Sequence, residues 1–366
     1  MQAFAFLIHP MDIEDVTKKY KMAGKVSPKI VASVLKRRPS FVMSEITGIK
    51  SPTGVEAAGY FVTVPLLPWQ FSELEEDYVI EKIAKACKVG QKVGAKIVGL
   101  GAFTAIPGGG GRMLANAVDV PVTTGNTYTT ALAIDGSKKA AEVMDIELAD
   151  AKVAVVGATG SIGRACAEIM APDVGNLVLV GRDLARLEEV QQNIKESSGY
   201  SPEVSTKISE SLRESDIVIT VTGSVDSIIY PDDLKPGAIV CDVARPRDVS
   251  KLVSEHREDV LVIDGAIVDV PGDVNFGLDF GLPPKMAEGC VAETMLLTLE
   301  RRYENYTIGK KITVDMVKEM SALGKKHGFK VTGLRRHENL LSEQQIQKVK
   351  RNAAKVLKIG YKSSVG

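Results

Sequence analysis

The sequence predicts an α/β protein of two domains, the second built on a doubly wound parallel sheet, with helices following it. Three observations carry this prediction. β-Branched runs alternate with helical patterns along the chain. The stretch "AKVAVVGATGSIGRACAEIM" joins a strand to a helix through a turn punctuated by glycines. Four further runs, "NLVLVGRD", "SDIVITVTGS", "GAIVCDVARPRD" and "VLVIDGAIV", bring the predicted strands to five in about 115 residues, the density of a Rossmann-type nucleotide-binding domain.

Length and composition agree with this division. At 366 residues the chain exceeds what one core supports. Lysine plus arginine equals aspartate plus glutamate at 46 each, so no global charge excess points to nucleic acid or a membrane surface. Cys87, Cys166, Cys241 and Cys290 lie far apart, and the four histidines are scattered, which gives neither a zinc pattern nor a disulfide framework; no metal is expected. "MQAFAFLIHPMDIEDV" lacks a basic leader and its apolar run is broken by His9 and Pro10. No apolar run approaches the ~18 residues of a membrane span, so a soluble cytoplasmic protein without an integral membrane segment is expected.

Residues 1–125 form the expected N-terminal α/β substrate domain. "FAFLIHP", "GYFVTVPLL" and "AKIVGLGAF" are its strands, expected parallel and buried, and "DYVIEKIAKACKVGQKVG" repeats its apolar residues at helical spacing. "AIPGGGGRM" predicts a loop, either at the surface or in close approach to a ligand. Residues 126–149 are expected to be a connecting helix capped by Thr124 or Asn126. The nucleotide-binding domain is expected over 150–268. Residues 269–366 are expected to be a C-terminal helical segment, including "AEGCVAETMLLTLERR", which reads as an amphipathic helix.

The glycines of "GATGSIG", Gly157, Gly160 and Gly163, are a GxxGxxG variant of the dinucleotide fingerprint in the strand–turn–helix context it needs. Glycine lets the turn approach a pyrophosphate, and the amides and dipole of the helix start receive its charge. Thr159, Ser161 and Ile162 share that loop, and Thr222, after the "SDIVIT" run, joins the cofactor set. Nineteen residues past Gly163, where an NAD site carries an acid, stands Arg182. Its guanidinium suits a 2′-phosphate, with Arg186 one turn later, so NADPH is favoured. The counter-reading makes Asp183 the ribose acid.

Cys290 follows Gly289 at the expected first turn of a helix, where amides and the dipole would stabilise a thiolate and lower its pKa. Core packing is the competing reading, and the one expected for the other three cysteines. NADPH beside a thiolate would equip a protein to reduce a thioester through an acyl-cysteine. Backbone amides near Cys290 or the "TTGNT" stretch with Asn126 would supply an oxyanion donor. Glu293 would tune or transfer protons, or be an ordinary first-turn acid.

Three blocks in one order, "IVGLGAFTAI", "VTTGNTYTTA" with "VAVVGATGSIG", and "CVAETMLLTLERRYENYTIGKKIT" with "KKHGF", resemble the long-chain acyl-[acyl-carrier-protein] reductases of cyanobacterial type, from about residue 90 to about 330. The resemblance implies NADPH, a fatty aldehyde product, a fatty acyl-carrier protein or acyl-coenzyme A as substrate, Cys290 as the acylated residue, and Thr124 to Thr127 near the nicotinamide. "TYT" stands where that family has "THT", and "MAEG" replaces a more apolar lead-in. Acyl length, carrier protein or coenzyme A as donor, oligomeric state, metal dependence and the proton donor stay open.

Two alternatives stand beside it. A dehydrogenase of the shikimate or methylene-tetrahydrofolate type would need no cysteine and would use a lysine and aspartate pair in the first domain, with Lys96 the lysine to consider. A non-enzymatic NADPH-binding redox sensor would use Cys290 as its sensor. The tail cations Arg335, Arg336, Lys348 and Lys350 would meet an acidic carrier protein or simply form a solvated helix face.

Overall fold

The computed structural model describes residues 2–309 and 311–364. The chain forms two compact units. One comprises Met1–Tyr128, Val268–Lys311 and Glu319–Lys330; the other comprises Thr129–Ile267, Ile312–Lys318 and Val331–Gly366.

The first unit opens with β1 (Gln2–Ile8), α1 (Ile13–Lys19), α2 (Pro28–Leu35), β2 (Phe41–Lys50) and β3 (Glu56–Thr63). There follow α3 (Gln70–Glu73), α4 (Glu76–Lys92), β4 (Val98–Leu100), α5 (Pro107–Ala117) and β5 (Val122–Thr123). β1 pairs in parallel with β3 and β4, and β4 with β5. The central strands are apolar on both faces because both are covered. On one face Ala5 and Leu7 of β1 meet Val79, Ile83 and Cys87 of α4. Not every strand is parallel, however: β2, which was not anticipated, pairs antiparallel with β3. Its run "FVMSEITGIK" mixes apolar and polar residues across two register shifts, so the two-residue period is lost. The tetraglycine stretch is no plain loop. Gly108 to Gly111 take φ from +63° to +81°, one left-handed turn at the start of α5.

The second unit takes up the chain within α6 (Asn126–Met144). It continues with β6 (Lys152–Val156), α7 (Ser161–Met170), β7 (Asn176–Val180), α8 (Leu184–Ser198), β8 (Glu203–Ser205) and α9 (Ile208–Arg213). β9 (Ile217–Thr220), β10 (Ile239–Asp242), α10 (Lys251–His256) and β11 (Leu261–Asp264) complete it. The sheet order is β11-β10-β9-β6-β7-β8, all parallel. Counted from β6 that is 3-2-1-4-5-6, the Rossmann order, whose switch point lies between the first and fourth strands. The sheet has six strands rather than five. β8, three residues of "EVS" at the edge, has no apolar run to betray it.

After β11 the chain does not become a helical appendage. β12 (Ile267–Asp269) precedes β13 (Gly272–Asn275), which pairs antiparallel with β2 and forms that edge of the first sheet. β14 (Met286–Glu288) runs straight into α11 (Gly289–Leu299). α11 packs on β1, β3 and β4. It covers the face opposite α4, since a β-carbon at Gly99 would meet Thr294 of α11 and Phe6 of β1. It is not amphipathic: Glu293, Thr294 and Thr298 are as buried as its leucines. α12 (Val314–His327), the short strands β15 (Arg335–Arg336) and β16 (Asn339–Leu340), and α13 (Glu343–Ser364) follow. No helix among the described residues is long and apolar enough to cross a membrane.

Candidate active site

In the second unit the glycine turn follows β6 at the switch point. Gly157 has φ +83°, and a β-carbon there would lie 2.5 Å from the carbonyl oxygen of Val221. A β-carbon at Gly163 would lie 2.4 Å from the carbonyl oxygen of Gly157, so a side chain would push α7 off the turn. Gly160 caps α7, and Ser161, Ile162 and Gly163 form its first turn, with amides that no preceding helical carbonyl can reach. Thr159 and Gly160 border it at the surface side. This cradle fits the phosphates of a dinucleotide.

The Gly157 amide donates to the carbonyl of Val180 at 2.9 Å, which ties the turn to the end of β7, two residues before the exposed Arg182. Asp183 is the N-cap of α8, accepting from the Arg186 amide at 3.2 Å. That role draws Asp183 towards the helix and weakens its case as ribose acid. Thr222 borders Gly157, whose β-carbon would lie 3.2 Å from the Thr222 methyl. The Thr222 hydroxyl and amide both donate to the carboxylate of Asp248.

In the first unit, Cys290 is the second residue of α11 and partly exposed, whereas Cys87, Cys166 and Cys241 are buried. The turn Thr124–Gly125 lies against it. Gly125 has φ +74°, and its hydrogen faces the backbone of Cys290. Thr124 does not cap α6; its hydroxyl donates to the carbonyl of Thr307 at 2.6 Å. Asn126, the first residue of α6, follows directly.

Glu293 is no ordinary first-turn acid. It is 0% exposed. Its Oε1 accepts from the hydroxyls of Thr123 at 2.6 Å and Thr307 at 2.7 Å, and its Oε2 from the Tyr128 amide at 2.9 Å. Burial raises its pKa, opposed by those hydrogen bonds. The hydroxyls of Thr127 and Thr307 also bond, at 3.0 Å. Thr307 itself sits at φ +50°, an outlier for a β-branched residue, held there by these partners. Glu293 is thus a clasp that fixes the turn against Cys290.

The Cys290 thiol also departs from expectation. Burial raises its pKa, the charges of Glu288 and then Glu293 add to that, and the amides of Val291 and Cys290 only partly offset them. The helix start does not yield a resting thiolate. It yields a thiol with a carboxylate beside it, since Oε2 of Glu288 lies 4.0 Å from Sγ. Sequence reasoning passed over Glu288, two residues before the cysteine in "MAEG", and Thr307; Thr123 stood in the "TTGNT" stretch considered for an oxyanion donor, but nothing local tied it to Glu293. Tyr128, where the resembled family has histidine, is a core residue. It packs edge-on to Phe329 with ring centroids 6.4 Å apart. In the tail, Lys348 pairs with Glu258, Lys350 with Asp145, and Arg335 donates to the carbonyl of Glu338.

Comparisons with known proteins bear on both units. Residues 138–265 match the family model described as shikimate / quinate 5-dehydrogenase. The chain is similar to the long-chain acyl-[acyl-carrier-protein] reductase of Synechococcus elongatus, 27% identical over 311 residues, covering 81% of this chain and 89% of that protein. It is also 30% identical over 361 residues to the aminotransferase PigE of a Serratia strain; that covers 95% of this chain but only 42% of the length of PigE. Among solved structures, glutamyl-tRNA reductase from Methanopyrus kandleri matches with 16% identity, 77% of this chain, 56% of that one and a TM-score of 0.31, too loose a likeness to bear on function.

Proposed function

We propose that the chain reduces a fatty acyl thioester to a fatty aldehyde with NADPH, through an acyl group carried on Cys290. The observation that carries this reading is the seating of Cys290: a partly exposed residue on the first turn of α11, a glycine turn on its backbone and Glu288 at 4.0 Å from its sulfur. The similarity to the acyl-[acyl-carrier-protein] reductase over most of both chains supports it.

In this mechanism Glu288 Oε2 accepts the thiol proton as Sγ attacks the thioester carbonyl. The first-turn amides and Asn126 receive the negative charge on the carbonyl oxygen. The carrier thiolate leaves and takes up the proton, so carrier thiol is released and Cys290 holds the acyl group. The 157–163 turn would hold the phosphates of NADPH, with Arg182 and Arg186 for its 2′-phosphate, and the bound cofactor would supply a hydride. The resulting thiohemiacetal oxyanion collapses to aldehyde as Cys290 Sγ leaves, and the thiolate takes up one proton from water to restore the thiol. Glu293 moves no proton in this scheme; it positions the turn.

The dehydrogenase alternative draws on the family model over 138–265. Its lysine would be Lys96, which is exposed on the segment entering β4. Open α/β sheets bind ligands at the carboxyl ends of their strands, the other end from that entry.

The test is intact-protein mass spectrometry after incubation with long-chain acyl-coenzyme A, without NADPH. An acyl adduct mapped to Cys290, discharged as aldehyde on adding NADPH and lost in Cys290→Ser with NADPH binding retained, is expected. Absence of an adduct across chain lengths and carriers would overturn the proposal, and dehydrogenase turnover retained in Cys290→Ser would favour the alternative.

A further inference from the structure

The balanced composition hides a local imbalance. Residues 16–44 hold eight lysines and arginines and no acid, in a chain whose totals are 46 and 46. This stretch, from the second half of α1, past the Glu14 and Asp15 of its first turn, through α2 to the start of β2, is also where large apolar side chains stand in solvent: Met22 79% exposed, Ile30 55%, Val34 49%, Val26 44% and Tyr20 44%. The inward side of the same segment is already satisfied. Val31, Ala32 and Leu35 of α2 pack with Val16 and Leu67 in a small core of their own. α2 is therefore apolar on both faces, which is the pattern of a helix that is covered.

We propose that this face docks the protein on an anionic membrane surface. Charge complementarity selects an anionic occupant. Six of the eight cations are lysines, with Arg37 and Arg38 the exceptions. The buried centres of protein–protein interfaces are depleted in lysine and rich in aromatic residues. Lysines interleaved with apolar side chains are instead the arrangement of interfacial membrane segments, where stems lie on the apolar layer and ammonium groups stay among the headgroups. Lys21, Lys25 and Lys29 alternate with Met22, Val26 and Ile30, and all six are exposed. The docking needs no spanning helix and does not depend on the acyl-thioester reading.

The experiment is co-sedimentation of the full chain with vesicles of phosphatidylcholine alone and of phosphatidylcholine with phosphatidylglycerol. Binding is expected only to the second, and to fall as salt is raised. Lys21→Glu, Lys25→Glu and Lys29→Glu together should weaken it at least about a hundredfold, since each lysine near an anionic surface is worth roughly fivefold. Met22→Ser with Ile30→Ser should weaken it with charge unchanged, and both variants should keep the parent melting temperature and Cys290 alkylation rate. No binding to anionic vesicles, or binding that neither variant weakens, would overturn the proposal. So would binding through these lysines to a soluble acidic carrier protein, or to a second copy of the chain, in place of vesicles.

Discussion

Gly125 rests on the backbone of Cys290 so closely that a β-carbon there would lie 2.2 Å from Cα of Cys290 and 2.3 Å from its Cβ. The contact fixes how closely the turn can approach Cys290. Gly125→Ala must move one or the other. Gly54 is the control: it too is left-handed, at φ +86°, but no atom lies within 4 Å of its β-carbon position. Gly54→Ala should therefore cost only the backbone strain, about 1 kcal/mol. Gly125→Ala should cost at least about 2 kcal/mol more, from strain plus overpacking. It should also slow alkylation of Cys290 at least tenfold, which Gly54→Ala should not; denaturation midpoints and iodoacetamide kinetics on both variants measure this.

Glu293→Gln replaces an oxygen that accepts from two hydroxyls, or one that accepts from the Tyr128 amide, by a donor. A buried donor left unpaired costs about 1–3 kcal/mol. The variant should lose stability in that range, and acyl transfer to Cys290 should slow because the turn is no longer held. Thr307→Ser should retain both, since it keeps the hydroxyl and removes the branching that makes φ +50° costly. Denaturant melts and single-turnover acylation separate the two variants. Equal losses in both would mean that the network acts through packing alone.

The second unit was largely legible because a buried parallel strand is a nearly continuous apolar run, and "KVAVV", "NLVLV" and "IVIT" look alike. β8 and β2 were not: β8 is three residues at a sheet edge, and β2 loses its two-residue period at two register shifts. Cys290 stood out by its place before a helix. Glu293 was misjudged because its own neighbours in sequence say nothing of Thr123 and Thr307, which reach it from 170 and 14 residues away. Glu288 lies two residues from Cys290, but its effect on the thiol depends on burial, which no local pattern reports. The cationic face was masked by counting charge over the whole chain rather than over a window of it.

Arg182 is exposed at the end of β7, beside the glycine turn, while Asp183 is committed to capping α8. Arg182→Ala should weaken NADPH binding roughly tenfold to a hundredfold, the worth of a hydrogen bond to a charged group, and leave NADH nearly unchanged. Asp183→Asn, which keeps a capping oxygen, should affect neither by more than a few-fold. Fluorescence titration of both nucleotides against both variants decides it. Equal losses for NADPH and NADH in Arg182→Ala would remove its phosphate-binding role.

Alkaline pH should expose the buried thiols. Burial pushes the pKa values of Cys87 and Cys241 up from 9.0 to about 12 each. Between those values the unfolded chain releases a proton that the folded chain keeps, so raising the pH favours unfolding. The stabilisation is complete below about pH 9 and is lost as pH rises towards about 12, at roughly 1.4 kcal/mol per pH unit for each thiol. Cys87 packs among Val79, Ile83 and Leu100, so Cys87→Ala gives up some packing at every pH but removes one titrating group. Its stability should start lower and fall less steeply than the parent's between about pH 9 and about pH 11, with the slopes differing by about one proton. Urea melts of parent and variant across that range supply both slopes, and parallel curves would show that Cys87 ionises within the folded chain.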